Sequence, residues 1–390
     1  MSDRVNITFG ELGELFDGPH ATPKRTDVGP YFLNISSLVD GRLDLSQSDH
    51  VSDEEFVRWT RRVTPQEGDL LFSYETRLGD AALMPPDLLA CLGRRMALLR
   101  PNRRVIVPAF LLYFYISPGF KELIEKHTIH GATVNRIGLS TMRKWPIEIP
   151  GLAEQRGISE VLGAIDDKIA ANTKLVATSE QLAVAALAGE STMVPLRDAA
   201  RLHRITISPD SVHEPTVDHF SLPAFDAGAL PAGDSPRDIK SAKFRLDRPV
   251  VLLSKLNPRF PRVWNVESLS GRPSLASTEF LVLEPLHSTT AVLWAALSQS
   301  AFSLALDAKV GGTSGSHQRV KPEDALDTLI VDPGAVSRDR SALITNVVSL
   351  AGRSRGENRI LAATRDALLP QLMSGKLRVR DAEKLLEGVL

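Results

Sequence analysis

The sequence predicts an α+β chain built as a tandem duplicate, in which each of two globular parts is followed by a long helix. Three observations carry this reading. Glu154 to about Leu187 contains no proline and places apolar residues at 158, 161, 162, 165 and 169, one stripe of a 3.6-residue period. A helix of about 33 residues, roughly 50 Å long at 1.5 Å per residue, follows, and that is more an arm than the core of a small domain. The segment Asn172-Thr173-Lys174-Leu175-Val176-Ala177-Thr178 is echoed by Asn358-Arg359-Ile360-Leu361-Ala362-Ala363-Thr364, a shift of 186 residues. Upstream, Pro150-Gly151 is echoed by Pro333-Gly334 and Arg136 by Arg319, both shifted by 183. Two nearly equal shifts in the same order mark a duplicated unit, and a period this long, present twice, is a tandem pair and not a solenoid.

From Val5 to Pro150, short strand-like runs alternate with turns. Tyr31-Phe32-Leu33-Asn34-Ile35 and Asp69-Leu70-Leu71-Phe72-Ser73 are strand candidates bounded by Gly, Pro or Asp. Ser52-Asp53-Glu54-Glu55 opens a short helix with a capping pattern, and Pro108 to Lys126 holds a further helix. After the first long helix, Ser191 to Pro333 repeats the pattern. Val250-Val251-Leu252-Leu253-Ser254 is the counterpart of Leu70–Ser73, Glu279 to Leu283 is a strand, Thr290 to Leu306 is a helix, and Ala224 to Arg237 is an irregular loop. In the second long helix Gly352 and Gly356 flank Arg353-Ser354-Arg355. Each glycine costs about 1 kcal/mol relative to alanine inside a helix, so a break or kink is expected there. Regular helix resumes near Asn358 and ends by Ser374-Gly375.

The 390 residues allow two or three domains with their own cores, and 43% apolar and 24% charged residues are ordinary for a globular protein. A single cysteine, Cys91, excludes an intrachain disulfide and suits a reducing compartment. The first residues lack a basic-then-apolar leader pattern, and the most apolar run, Val105 to Ile116, is too short to span a bilayer. A cytoplasmic location is the expectation. A net charge of −1 argues against a broadly basic nucleic-acid binder, so any such role rests on local clusters.

Two such clusters recur. Gly131-Ala132-Thr133-Val134-Asn135-Arg136 and Gly311-Gly312-Thr313-Ser314-Gly315-Ser316-His317-Gln318-Arg319 each combine glycine freedom with a hydroxyl, an amide side chain and an arginine. Those groups suit phosphate contacts through N–H and hydroxyl, and base-edge contacts through Arg and Asn or Gln. Either loop alone reads as a polar turn before an edge strand; recurrence in both halves favours function. Arg58, Arg61 and Arg62 flank Trp59, and Arg77 follows a strand. Lys255, Arg259 and Arg262 surround Phe260, and Lys321 follows Arg319. Basic residues interleaved with an aromatic can line a nucleic-acid surface, although each alone is more simply a solvated position. Arg94-Arg95 with Arg100, Arg103 and Arg104 is equally open.

No catalytic constellation emerges. The nine histidines lack metal-ligand spacing, and no Gly-x-x-x-x-Gly-Lys-Ser/Thr loop is present. Asn257-Pro258-Arg259-Phe260 has only a faint likeness to the Asn/Asp-Pro-Pro-Tyr/Phe motif of amino-methyltransferases. It lacks the second proline and any glycine-rich cofactor motif, and a turn is the better reading.

The order of parts carries a resemblance. Trp145-Pro146-Ile147-Glu148-Ile149-Pro150 is followed by Glu154-Gln155 and the long helix. His219-Phe220-Ser221-Leu222-Pro223-Ala224-Phe225-Asp226 fits in the second half, and the most specific run extends from Arg365-Asp366-Ala367-Leu368-Leu369-Pro370 to Gly375-Lys376-Leu377. On these residues the chain resembles, over nearly its whole length, the specificity (S) subunit of type I restriction-modification enzymes.

The resemblance implies a non-catalytic DNA reader. It implies two target-recognition domains, residues 1–152 and 188–335, and a pseudo-two-fold antiparallel coiled coil of helices at 153–187 and 336–375, with a tail at 376–390. Each domain would read one half of a bipartite asymmetric site on double-stranded DNA, about 15 base pairs being spanned by a roughly 50 Å spacer. Two modification subunits carrying S-adenosylmethionine would supply N6-adenine methylation, and restriction (motor) subunits using ATP and Mg would join for cleavage. No cofactor is expected on this chain. The sequence departs from the pattern in lacking Glu-Gln after Pro333-Gly334 and in the Gly352 to Gly356 interruption. Competing readings are a self-contained DNA-acting enzyme, which would be active alone, and a helical scaffold indifferent to Arg136 and Arg319.

Overall fold

The computed structural model describes residues 4–19, 21–131, 133–309 and 318–386. The chain divides into two compact units, Met1–Lys168 with Leu361–Leu390, and Ile169–Ile360. Each takes one stretch of each long helix.

In the first unit, an antiparallel four-stranded sheet runs in the order Gly13–Asp17, Met96–Pro101, Leu70–Ser73, Ala81–Leu83. The second unit repeats it as Ala200–His203, Phe280–Pro285, Val250–Ser254, Val263–Val266. Val5–Thr8 pairs with Pro146–Ile149 as Met193–Pro195 pairs with Leu329–Val331. A parallel pair also recurs, Tyr31–Leu33 beside Ala90–Leu92 and Asp218–Phe220 beside Ser274–Ala276. The fold is therefore α+β, with the four-stranded sheet, the terminal strand pair and the parallel pair present in both units, while the parallel pair sits in a three-stranded sheet in the first and a five-stranded sheet in the second. The central sheet strands are apolar on both faces, which fits their burial: Leu70, Leu71, Phe72 and Ser73 are all at most 0% exposed, as are Val251 and Leu252.

The helices are where sequence pattern and structure differ. Pro108 to Lys126 is two helices, Pro108–Ile116 and Pro118–Lys126, because Pro118 lacks an N–H and opens a new first turn. The Ser117 hydroxyl accepts the Phe120 N–H and caps it. Thr290 to Leu306 likewise divides into Thr290–Leu297 and Ser300–Asp307. Ala224 to Arg237 is not wholly irregular. It holds the end of the helix Leu222–Asp226 and an edge strand, Ala232–Asp234, paired with Val217–Phe220. The first strand is longer than expected, Arg25–Leu33, and ends before Ile35.

The long helices are Leu152–Ala185 and Arg338–Met373, whose first residues stand 186 apart, the same shift as Asn172 and Asn358. Ile158, Val161, Leu162 and Ile165 are buried as the stripe requires. The expected break at Gly352 to Gly356 is absent: 36 residues form one helix, Pro370 included. The reason lies in its buried seam of Ile344, Val348, Ala351, Ser354, Leu361, Leu368 and Leu372, whose steps of three, four and seven residues continue past both glycines. Gly352 and Gly356 sit off that seam with no atom within 4 Å of a Cβ position, so packing offsets their propensity cost. Beyond it, Gly375 takes φ 71° and ends the helix, and a short helix, Val379–Leu386, follows.

Gln155 fixes the start of the first long helix. Its side chain, 1% exposed, accepts from Val107 N–H (2.8 Å) and donates to the carbonyls of Val105 (3.1 Å) and Pro150 (2.8 Å). In the second unit, Asn172 donates to Glu357 (2.8 Å), and Asn358 to Ile169 O (3.3 Å) and Thr173 Oγ1 (3.2 Å), so each repeated asparagine crosses to the opposite helix.

Candidate nucleic-acid interface

A loop leaves the end of the central strand in each unit and is held by a second loop far along the chain. In the first unit Ser73 Oγ turns back to Glu75 O (2.6 Å), Tyr74 N–H reaches Arg95 O (3.1 Å), Thr76 N–H reaches Asn135 O (3.1 Å) and Ile137 N–H reaches Tyr74 O (2.8 Å). Arg136 bridges to Glu75 and to Ile129. The second unit makes the same bonds. Ser254 Oγ turns back to Leu256 O (3.2 Å), Lys255 N–H reaches Glu279 O (2.9 Å), Asn257 N–H reaches Gln318 O (2.9 Å) and Val320 N–H reaches Lys255 O (2.9 Å). Arg319 bridges to Leu256.

This main-chain equivalence pairs Thr76 with Asn257, both at positive φ (72° and 49°), at the apex of each junction. Asparagine tolerates that conformation, whereas a β-branched threonine is an outlier costing about 1–3 kcal/mol and held by the surrounding bonds. Arg136 and Arg319 occupy the same place in the two junctions. Their surroundings differ. Arg136 is exposed and has no ion-pair partner among the described residues, while Arg95, φ 71°, pairs with Glu75 (3.3 Å) and donates to Thr76 Oγ1 (3.2 Å). Arg319 donates twice to Glu279 (3.1 and 2.8 Å) and is still 61% exposed. The charges differ between the halves: Arg95 stands where Glu279 does, and Glu75 where the uncharged Leu256 does. Burial lowers the pKa of the Lys255 ammonium, against Glu279, which raises it, with Arg319 and Arg204 adding to the depression.

The structure sorts the remaining residues. Thr133 and Asn135 are exposed in the first junction, with Asn135 Oδ1 3.3 Å from His130 Nδ1. Gln318 and Lys321 lie beside Arg319, whereas Thr313, Ser316 and His317 fall outside the described residues. Arg61 and Arg62 are exposed and, with Arg58, Lys24 and Trp59, line a cavity of about 700 Å³. Arg58 is tied to Glu55 (3.3 Å), as is Trp59 Nε1 (2.7 Å). This cavity is not separate from the junction: Asp17 on its wall hydrogen-bonds the Tyr74 hydroxyl, and burial first, then that bond, holds the phenol well above its usual pKa.

Two of the candidate cations are already engaged within the fold. Arg77 donates to the carbonyls of Ile35 (3.3 Å) and Leu38 (3.1 Å) and pairs with Asp80 (2.5 Å), stitching its loop to the neighbouring turn. Arg262 forks onto Asp226 (2.7 and 3.0 Å), which raises its pKa. Arg259 lies 5.8 Å from the ring of Phe260, itself 64% exposed. Sequence reasoning left Arg95 open and missed Thr76 and Glu279 as site residues, because their roles arise from main-chain pairing across long sequence separations. Among the described residues no group of His, Cys, Asp or Glu is gathered as a metal site, and no helix is long and apolar enough to cross a membrane.

Comparison with known proteins places the first unit. Residues 10–180 match the type I restriction modification DNA specificity domain. The protein described as type I restriction enzyme MjaX specificity subunit of Methanocaldococcus jannaschii is 26% identical over 170 residues, 41% of this chain and 38% of that one. The type I restriction enzyme HindI specificity subunit of Haemophilus influenzae is 28% identical over 196 residues, 47% of this chain and 40% of that one. The match thus spans about two-fifths of the length of these relatives. In fold, the crystal structure of a type I restriction-modification system S subunit from M. genitalium superposes with a TM-score of 0.62 at 14% identity, covering 95% of this chain and 96% of that one.

Proposed function

We propose that this chain, which belongs to the type I restriction-modification specificity family, is the sequence-specific DNA-binding subunit of such a complex and contributes no catalytic group itself. The observation that supports the reading best is the repeated junction. Two loops share their main-chain hydrogen bonds yet present different side chains, Arg136 beside an Arg95–Glu75 pair in one and Arg319 held by Glu279 in the other. A scaffold common to both halves with divergent exposed chemistry suits two readers of two unlike half-sites, and hence a bipartite asymmetric target in duplex DNA.

On this reading the reaction is N6-adenine methylation carried out by two modification subunits that hold S-adenosylmethionine. Restriction subunits using ATP and Mg add cleavage, and the assembly works in the cytoplasm. The chain's own contribution is placement: phosphate contacts from exposed cations such as Arg61 and Arg62, and base-edge contacts from Arg136, Asn135, Gln318 and Arg319.

The test is a modified-base map of a genome with and without this gene, followed by complementation with Arg136→Ala and Arg319→Ala. Loss of N6-methyladenine at one split motif, and its return with wild type but not with the variants, is expected. A base-reading arginine is worth about 1–3 kcal/mol, or roughly 5–150-fold in affinity. An unchanged map in cells expressing the modification subunit sinks the proposal.

A further inference from the structure

The duplication exposes one position where the halves have opposite chemistry. With the two long helices in register by their 186-residue shift, Asp166-Asp167 of the first unit corresponds to Gly352-Arg353 of the second. In the first unit Asp166 is a built-in anion between sheet domain and helix. Its carboxylate accepts from the Tyr113 hydroxyl (2.7 Å) and from Arg365 (2.9 Å), and Arg42 donates to its main-chain carbonyl (2.8 Å). In the second unit the corresponding position has no side chain. Nothing lies within 4 Å of where a Cβ of Gly352 would stand, and a cavity of about 570 Å³ opens beside it.

The cavity is cationic. Of the four arginines on its wall, Arg272 is paired with Asp218 (2.7 Å) and Arg355 with Glu180 (2.5 Å). The other two have no carboxylate partner among the described residues: Arg353 donates to Ser349 Oγ (3.2 Å) and Arg359 to Pro231 O (3.1 Å). The remaining acid on the wall, the exposed Glu267, forms no ion pair with any of them. One side is apolar, formed by half-buried Phe225 and Pro231 over Trp264.

We propose that this cavity binds a free nucleotide, its phosphate meeting Arg353 and Arg359 and its base lying on the Phe225–Pro231 wall. The phosphate takes the place of the anion that Asp166 supplies covalently in the other half. Charge-assisted bonds to phosphate and a ring-sized apolar surface are what a nucleotide requires, and the volume lies within the range of small-molecule sites. The inference is independent of the DNA-reading proposal.

The experiment is calorimetric titration of the full chain with AMP and, separately, with inorganic phosphate. Saturable AMP binding is expected, weaker binding of phosphate alone, and a loss of about tenfold or more in each of Arg353→Ala and Arg359→Ala. Gly352→Asp, which restores the acid of the first half, should abolish binding while the thermal transition stays in place. Absence of saturable AMP binding, or binding indifferent to Gly352→Asp and to both arginine variants, overturns the proposal. So does weakened duplex binding in the arginine variants without any AMP response, which assigns those cations to DNA.

Discussion

Asp166→Ala tests whether the first unit is clamped by its helix-borne carboxylate. The side chain is 18% exposed and its partner Arg365 23%, so the contact is screened only in part. Removal leaves the Tyr113 hydroxyl, which donates at 2.7 Å, without an acceptor, and an orphaned buried hydroxyl costs about 1–3 kcal/mol. The Arg365 guanidinium is less affected, because Asp366 Oδ1 still accepts from it at 2.9 Å. The Arg42 bond to the main-chain carbonyl also survives. Together these give a loss of about 2–3 kcal/mol, below the 3–5 kcal/mol of a fully buried pair broken on one side. For a unit of this size that lowers its thermal transition by about 5–10 °C, read by differential scanning calorimetry. Tyr113→Phe supplies the cycle: if the bond carries the effect, the double variant costs less than the two singles added. A shift of less than about 1 °C for Asp166→Ala, or strict additivity in the cycle, refutes the clamp.

Gln155→Ala strands Val107 N–H and relieves the Val105 and Pro150 carbonyls of their donor, so a loss of about 3 kcal/mol is expected in denaturant unfolding. Glu279→Ala frees Arg319 and deletes a negative charge from the second junction; duplex affinity should rise with a steeper salt dependence, measured by titration at several ionic strengths. Alkaline pH should weaken the fold. Burial pushes the Cys91 thiol from 9.0 up to about 12, and burial carries the Tyr113 and Tyr115 phenols well above 10.0. With folded pKa values raised, the neutral groups contribute stability that is complete below pH 9 and is lost as pH climbs from there through the folded values. Melting temperature should therefore decline from about pH 9, and Cys91→Ala should flatten the first part of that decline.

What the sequence makes legible is what short range decides. Ser52 before Asp53-Glu54-Glu55 caps a helix because its hydroxyl needs only the N–H three residues on, and the structure shows that bond at 3.3 Å. Residues 250–253 are all apolar and buried, as the interior of a covered sheet requires. The uninterrupted helix across Gly352 was not legible, since propensity is local while the buried seam that overrides it depends on what packs opposite. The same reason explains the site. Arg136 and Arg319 stood out through repetition, but nothing near Arg319 in sequence announces Glu279, 40 residues away and opposite in charge.

The divergence between the halves then carries more than the similarity. Main-chain bonds from Tyr74 to Ile137 and from Lys255 to Val320 survive duplication because they close each loop whatever the side chains are. Side chains on those loops were free to change, and they changed in charge: Glu75 to Leu256, Arg95 to Glu279. Identical charges at both junctions would favour the same bases twice, so the difference suits the proposed reader of two unlike half-sites. The same freedom acted at the helix, where Asp166 became Gly352. There the second half has no carboxylate where the first has Asp166, and Arg353 and Arg359 stand where the first has Asp167 and Thr173, so the two halves differ in charge at the helix as they do at the junctions.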